Sequence, residues 1–109
     1  MAQVVCGEAR NESYEAKVGI AAVVLNRTRD PRFPEAVAGV VYQTHAFPTV
    51  RSGTFYRDTT PECYRAARAA LRGLDPTDGA LYVLQGDAPR QPGAGRPVVR
   101  QIGRLKFAR

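Results

Sequence analysis

The sequence predicts an α+β fold that is mainly helical, with a short antiparallel β element towards the C-terminus. Two observations carry this prediction. Apolar residues recur at helical spacing through the first two thirds of the chain, and the candidate strands, rich in Val, Leu, Tyr and Phe, follow the turn signal Asp78-Gly79. The length of 109 residues, with 44% hydrophobic and 24% charged residues, is typical of one globular domain, which we assign to residues 1–109.

The first two helices are predicted around a short turn. Residues Ala2–Arg10 form the first helix, and Asn11, which tolerates the left-handed conformation, is expected to close it at C′. Ser13 is a good N-cap for a second helix over Tyr14–Arg27. Because that helix is apolar on nearly all sides, we expect it to be the buried centre of the fold.

The later elements follow from their boundary residues. A short helix is predicted over Glu35–Gln43, a long loop over Thr44–Thr59, and a fourth helix over Pro61–Arg72, with Pro at its first position. On that helix the predicted apolar face is Tyr64, Ala67 and Leu71, and the basic stripe is Arg65, Arg68 and Arg72. Three strands are predicted at Ala80–Leu84, Val98–Val99 and Leu105–Phe107.

Composition excludes several kinds of chemistry. The chain has one histidine, His45, and two cysteines, too few to supply the three or four ligands of an ordinary zinc site, so we expect no metal and no cofactor. A Ser-His-Asp triad would require His45, which has no nucleophile motif near it. No apolar run approaches the roughly 20 residues of a transmembrane helix. Catalysis, if present, is therefore expected from carboxylates.

Two features leave alternatives open. The net charge of +6 suits a polyanion, which could be nucleic acid or an anionic wall or membrane surface. The arginine stripe of the fourth helix could follow phosphates, but no nucleic-acid motif accompanies it, and a solvated face is favoured. Cys6 and Cys63 could bridge the first and fourth helices in an exported protein, or each could be a small buried side chain.

Glu8 is the leading candidate for a catalytic carboxyl. It lies in an apolar setting and in the last turn of the first helix, where low polarity and the negative end of the helix dipole would both raise its pKa. A general acid needs such a shift, whereas the alternative is a solvated glutamate at a helix end. Glu12 could be a second carboxylate or a polar neighbour, although capping or solvation also suits it. Phe47 and Tyr82 are candidates for cleft walls, and Asp75 and Asp78 are interpreted as turn formers.

The segment Gly7–Glu15 (Gly-Glu-Ala-Arg-Asn-Glu-Ser-Tyr-Glu), continued by Lys17–Arg27, resembles the catalytic domain of the spore cortex-lytic enzyme and related bacterial cell wall hydrolases. The resemblance extends over nearly the whole chain in the right order. It continues at Phe33-Pro34, Gly39–Gln43, Ala46-Phe47, Ala66–Leu71, Asp75–Thr77, Gly79–Tyr82, Arg96–Val98 and Ile102-Gly103.

The resemblance implies a small lysozyme-like fold and action on the glycan strands of peptidoglycan. It implies that Glu8 is the catalytic acid of a lytic transglycosylase, which cuts the bond between N-acetylmuramic acid and N-acetylglucosamine and leaves 1,6-anhydro-muramoyl products. A hydrolytic muramidase, a muramoyl-alanine amidase and a non-catalytic module for nucleic acid or wall polymers are the alternatives. With the resemblance, the basic surface favours the wall, and no nucleic-acid partner is expected.

The resemblance also implies export, to the cell wall or to the spore cortex and coat region. The chain itself shows no signal peptide, so we expect a catalytic domain trimmed from a longer exported protein, acting as a monomer. Four positions depart from the family pattern: Cys6 replaces an aromatic residue, Asn11 a glycine, Val83 begins a segment that is aromatic in relatives, and Leu105 replaces a histidine. These departures concern contacts with the glycan more than the catalytic acid.

Overall fold

Four helices and a three-stranded antiparallel sheet make up the described part of the chain, and they confirm the α+β prediction. The structure, a computed structural model, describes residues 1–43, 47, 59–86 and 90–109. His45 and most of the predicted loop over Thr44–Thr59 lie outside them. The elements are α1 (Ala2–Ala9), α2 (Tyr14–Thr28), α3 (Val37–Val41), α4 (Pro61–Leu71), β1 (Tyr82–Gln85), β2 (Val98–Ile102) and β3 (Leu105–Ala108).

The turn between α1 and α2 differs from the prediction at Asn11. The helix is capped by Arg10 in a right-handed conformation, and the only described non-glycine residue with a positive φ is Asp78. The Glu12 backbone N–H donates to the Ala9 carbonyl at 3.0 Å, so a right-handed turn leads into the next helix and no left-handed residue is required. Ser13 caps α2 as predicted, because its Oγ accepts from the Ala16 N–H at 3.2 Å.

Helix α2 is the buried centre of the fold, as its apolar pattern predicts. Ile20, Val23 and Val24 are fully buried, and α1, α3, α4 and β1 all contact this helix. Gly19 lets β3 approach closely, because a Cβ at this position would lie 2.8 Å from the ring of Phe107, a fully buried residue. The sheet therefore packs against the middle of α2.

The buried face of α4 agrees with the prediction at Ala67 but not at Tyr64 and Leu71. Tyr64 and Leu71 are 50% and 61% exposed, and the helix buries Cys63, Ala66, Ala69 and Ala70 together with Ala67. Because these side chains are small, α4 can pack closely against α2. The arginine stripe is exposed, as expected for a solvated face.

A disulfide joins α1, the first helix of the described chain, to α4, the last one. Cys6 of α1 and Cys63 of α4 are bonded, with their Cα atoms 5.6 Å apart. The structure thus favours the bridged alternative over two separate buried thiols. Helix α1 is only eight residues long, and no side chain caps its N-terminus. The disulfide therefore ties a short helix to a longer one.

The sheet has the order β1-β3-β2, and both pairings are antiparallel. Three of the four residues of the central strand, β3, are buried, whereas β2 is mostly exposed. The strands lie where the sequence predicts them, but β1 begins at Tyr82 and β2 extends to Ile102, with an irregular register between Val98 and Arg100. Pairing with β3 sets these limits, which local patterning does not encode.

Asp75 organises the turn that leads into β1, as a turn former should. Its carboxylate accepts from the backbone N–H groups of Thr77 (2.8 Å) and Gly79 (3.0 Å) and from Asn26 Nδ2 (3.0 Å) of α2. Asn26 Nδ2 also donates to the Ala80 carbonyl at 3.0 Å. Burial alone would raise the pKa of Asp75, but the hydrogen bonds from Thr77, Asn26 and Gly79 outweigh it and hold that pKa below its usual range.

Replacing both bridged cysteines by alanine (C6A/C63A) is expected to lower the free energy of unfolding by roughly 2–5 kcal/mol. The bridge closes a long loop in the unfolded chain, because the two cysteines are separated by 57 residues, and it thereby lowers the entropy of the unfolded state. Urea unfolding followed by circular dichroism measures the loss, and reduction of the wild-type protein should reproduce it. Equal midpoints for wild type and variant would show that the bridge contributes nothing.

Acid should weaken the fold in part through Asp75. Because its folded pKa is depressed, the carboxylate stabilises the fold above the unfolded pKa of about 3.9, and that contribution disappears as pH falls through the folded value. Asp75→Asn is therefore expected to lower the urea midpoint at pH 6 and to lose its difference from wild type towards pH 2. Asp78→Asn, the same change in the same turn, is the control. If the difference between the urea midpoints of wild type and Asp75→Asn stayed constant from pH 6 to pH 2, the Asp75 carboxylate would not be the source of this pH dependence.

Candidate active site

Glu8 lies in the last turn of α1 with its carboxyl group turned into the protein. The residue is only 9% exposed, and its Oε2 atom is buried. The same short helix buries Val4, Val5 and Ala9, so Glu8 is a charged residue among the buried apolar residues of α1. The predicted catalytic residue is thus a buried acid on a helix that the Cys6–Cys63 bridge ties to α4.

Two cavities meet at Glu8. The larger, of about 610 Å³, is lined mainly by polar and charged residues, which include Arg10, Glu12, Arg104 and Lys106. The smaller, of about 210 Å³, is more apolar and is lined by Arg27, Phe47, Val83, Gln91 and Pro92. Glu8 and Gln85 line both cavities. A carboxyl at the junction of two cavities can reach a bond in a chain-like ligand that occupies both sides.

Phe47 shares the smaller cavity with Glu8, and its side chain is 4% exposed. The guanidinium of Arg27, which lies at the end of α2, is 5.2 Å from the Phe47 ring centroid and 5.0 Å from that of Phe33. Arg27 Nε donates to the Leu81 carbonyl at 2.7 Å. Burial lowers the pKa of this arginine. Arg27 therefore holds the start of β1 and an aromatic cavity wall against the same helix end.

Tyr82 does not line either of these two cavities. Its ring packs edge-on against Phe33 at 6.0 Å and lies under the guanidinium of Arg96 at 4.7 Å. Because side chains alternate along a strand, the next residues on the opposite face, Val83 and Gln85, line the cavities instead. A substrate-binding role for Tyr82 stays a prediction.

Glu12 lines the larger cavity, but its carboxylate already binds the loop between β2 and β3. Oε2 accepts from Arg104 Nη2 at 3.0 Å and Nε at 3.2 Å, and Oε1 accepts from the Arg104 backbone N–H at 3.1 Å. Gly103 makes this approach possible, because it has a φ of +60° and a Cβ there would lie 2.6 Å from Oε1. The second carboxyl of the cavity is thus held by an arginine, and its role towards a substrate stays a prediction.

Sequence reasoning did not single out two glutamines at the cavity junction. Gln91 Oε1 accepts from the Gln85 backbone N–H at 2.8 Å, and Gln91 Nε2 donates to the carbonyls of Gln85 (3.3 Å) and Gly86 (3.2 Å). The Gln91 side chain thus makes the backbone hydrogen bonds that a neighbouring strand would otherwise make at the end of β1. No local sequence pattern predicts this contact. Arg27 could have been noticed, since it is a charged residue that follows a long apolar segment of the same helix.

The described residues contain neither a cluster of metal ligands nor a helix that could cross a membrane. No three His, Cys, Asp or Glu side chains among them lie close enough together to hold a metal ion. None of the helices in the described ranges has both the length and the apolar character needed to cross a membrane.

Comparison with known proteins gives consistent results. The profile of the cell wall hydrolase family matches residues 11–108, a range that begins just after Glu8. The spore cortex-lytic enzyme of Bacillus subtilis is 43% identical over 108 residues, and that of Halalkalibacterium halodurans is 41% identical, each alignment covering 98% of this chain. The chain spans about a third of the length of these two relatives (35% and 33%).

Solved structures show the same similarity. The catalytic domain of the Bacillus cereus SleB protein superimposes with a TM-score of 0.90 and 36% identity, covering 100% of this chain and 86% of the other. The catalytic domain of the germination-specific lytic transglycosylase SleB from Bacillus anthracis gives the same score and identity and is covered over 90% of its length. The fold and the family profile agree, and the chain belongs to the cell wall hydrolase family.

Proposed function

We propose that this chain cleaves the glycan strands of peptidoglycan as a lytic transglycosylase, with Glu8 as acid and then base. The observation that carries the proposal is the position of the Glu8 carboxyl, buried at the junction of two cavities. Relatives named as spore cortex-lytic enzymes and a similar structure named as a lytic transglycosylase support the choice of polymer and reaction.

The proposed reaction needs one carboxyl group. Low polarity favours the protonated form of a carboxyl, which can give its proton to the glycosidic oxygen as the bond from that oxygen to the muramoyl C1 breaks. The N-acetylglucosamine side leaves with a free hydroxyl group. The Glu8 carboxylate then takes the proton of the muramoyl C6 hydroxyl, and O6 bonds to C1 to close the 1,6-anhydro ring. Glu8 ends protonated, and no water is consumed.

The geometry of Glu12 supports this reaction over hydrolysis. A hydrolytic muramidase ordinarily uses a second carboxylate as a nucleophile or to activate water. Among the described residues that line the two cavities, the other carboxylate is Glu12, and both of its oxygens accept hydrogen bonds from Arg104. A carboxylate so engaged is a poor nucleophile, which suits a mechanism that uses only Glu8.

We also propose that the protein works outside the cytoplasm, in the cell wall or the spore cortex, as a monomer. The Cys6–Cys63 disulfide supports export, since such bonds persist in oxidising compartments. The net charge of +6 supports retention on anionic wall polymers.

Glu8→Gln is expected to lower the rate of peptidoglycan cleavage by about 10²- to 10⁴-fold, because the amide cannot donate or accept the proton. Release of muropeptides from purified peptidoglycan, read by mass spectrometry, measures this loss. Glu15→Gln is the matched control, since Glu15 is exposed at the start of α2 and lines neither cavity.

The products decide between the alternatives. Muramoyl ends lighter by one water are expected from the wild type, and reducing muramic acid would make the protein a hydrolase. Free stem peptides, formed in a chelator-sensitive reaction, would make it an amidase. Unchanged cleavage by Glu8→Gln would remove Glu8 from the mechanism. Salt-sensitive binding to DNA or wall polymer without any cleavage would leave only a binding module.

A further inference from the structure

The Cys6–Cys63 bridge lies close to Glu8 in the chain. Glu8 follows Cys6 by two residues in α1, which corresponds to about 3 Å along a helix axis. Helix α1 has eight residues and no side-chain cap at its N-terminus, and helices of this length are marginal on their own. The position of the Glu8 carboxyl therefore depends on what holds α1 against its neighbours.

Directional contacts hold the chain on both sides of Glu8. Before it, the bridge fixes Cys6 to Cys63 of α4. After it, the buried Lys17 Nζ donates to the Glu12 carbonyl at 2.8 Å. The apolar residues of α1 also pack against α2 and α4, but apolar contacts have no preferred direction and allow small shifts of a helix. The bridge is thus the covalent restraint on the side of α1 that precedes Glu8.

Thr60 connects both sulfur atoms of the bridge to the beginning of α4. Its Oγ1 caps this helix by accepting from the Cys63 backbone N–H at 3.4 Å, and it donates to Cys63 Sγ at 3.3 Å. The Thr60 backbone N–H donates to Cys6 Sγ at 3.4 Å. The bridge therefore ties α1 to a capped helix end, and Cys6 has a defined position relative to α4.

We propose that the Cys6–Cys63 bridge positions the Glu8 carboxyl for proton transfer, so that only the oxidised chain cleaves glycan at the full rate. This inference rests on the proposed function. Cys6 and Cys63 act through Glu8 and are positioning residues. Without the bridge, α1 keeps its apolar contacts but can shift against α2 and α4. A displacement of about 1 Å in a reacting group can lower a rate by about 10²-fold.

The bridge can also be opened and closed by exchange with thiols. Cys6 and Cys63 line a cavity of about 390 Å³ together with Thr60 and Pro61, which gives a small thiol a route to the sulfur atoms. A dithiol reductant attacks one sulfur as a thiolate and forms a mixed disulfide, and its second thiol then releases the cysteine. The reductant ends as a disulfide, and Cys6 and Cys63 end as two thiols. An oxidising compartment forms the bond again.

The test measures kcat and KM of the wild type on soluble peptidoglycan strands in three states: bridged, reduced by a dithiol, and oxidised again. Circular dichroism checks that each state is folded at the assay temperature, and sucrose, which strengthens apolar burial, is added to all states where one of them is not. Reduction is expected to lower kcat by about 10- to 100-fold. KM should change little, because the loss concerns the transition state, and oxidation should restore kcat.

The bridge-free variant C6A/C63A is the control for the reductant. The chain has two cysteines, so this variant offers a dithiol no disulfide to reduce, and its kcat should be as low as that of the reduced wild type with or without the dithiol. C6V/C63A, which fills more of the space left by the two sulfur atoms, is a second bridge-free variant and should behave in the same way.

Glu8→Gln in bridged and bridge-free chains separates positioning from stability. If the bridge acts through Glu8, this substitution lowers kcat by a smaller factor in C6A/C63A than in the wild type, because both changes affect the same step. Equal factors in the two chains would mean that the bridge only stabilises the fold, and they overturn the inference. Equal kcat for the folded bridged and reduced wild type overturns it as well, while the proposed function stands. Absence of cleavage by the bridged wild type, or full activity of Glu8→Gln, would instead overturn the proposed function.

Discussion

The burial of α2 from Ala16 to Leu25 is the constraint on which the rest of the structure depends. Its apolar residues are covered on all sides, so every neighbouring element has to pack against it. Three polar residues of this helix bind those neighbours through specific hydrogen bonds. Lys17 Nζ donates to the Glu12 carbonyl at 2.8 Å, Asn26 binds the turn before β1, and Arg27 binds the Leu81 carbonyl. Packing on this helix brings the elements together, and its polar residues set their positions.

The candidate site follows from that arrangement. Glu8 is carried by a short helix that packs on α2 and is bridged to α4, and the opposite wall is carried by β1, whose beginning is hydrogen-bonded to the end of α2. Both walls of the site are therefore positioned by their contacts with the same central helix, α2. A site built on such supported elements can hold a carboxyl in one position without a loop to adjust it.

The two cavities that meet at Glu8 differ in their linings. The smaller one, next to Phe47, is mostly apolar, whereas charged and polar side chains make up most of the lining of the larger one. Glu8 therefore lies between two surfaces of different polarity.

The sequence by itself determined the fold class, the approximate position of every described element, the buried central helix and the candidacy of Glu8, because helical periodicity, caps and the segment around Glu8 are local signals. It did not determine the full alanine face of α4, the Cys6–Cys63 pairing or the ion pair between Glu12 and Arg104. The tertiary structure decided these, since each depends on residues distant in sequence. Glu12 and Arg104 are 92 positions apart. A local sequence pattern can identify a candidate carboxylate, but the tertiary packing decides which cation lies next to it.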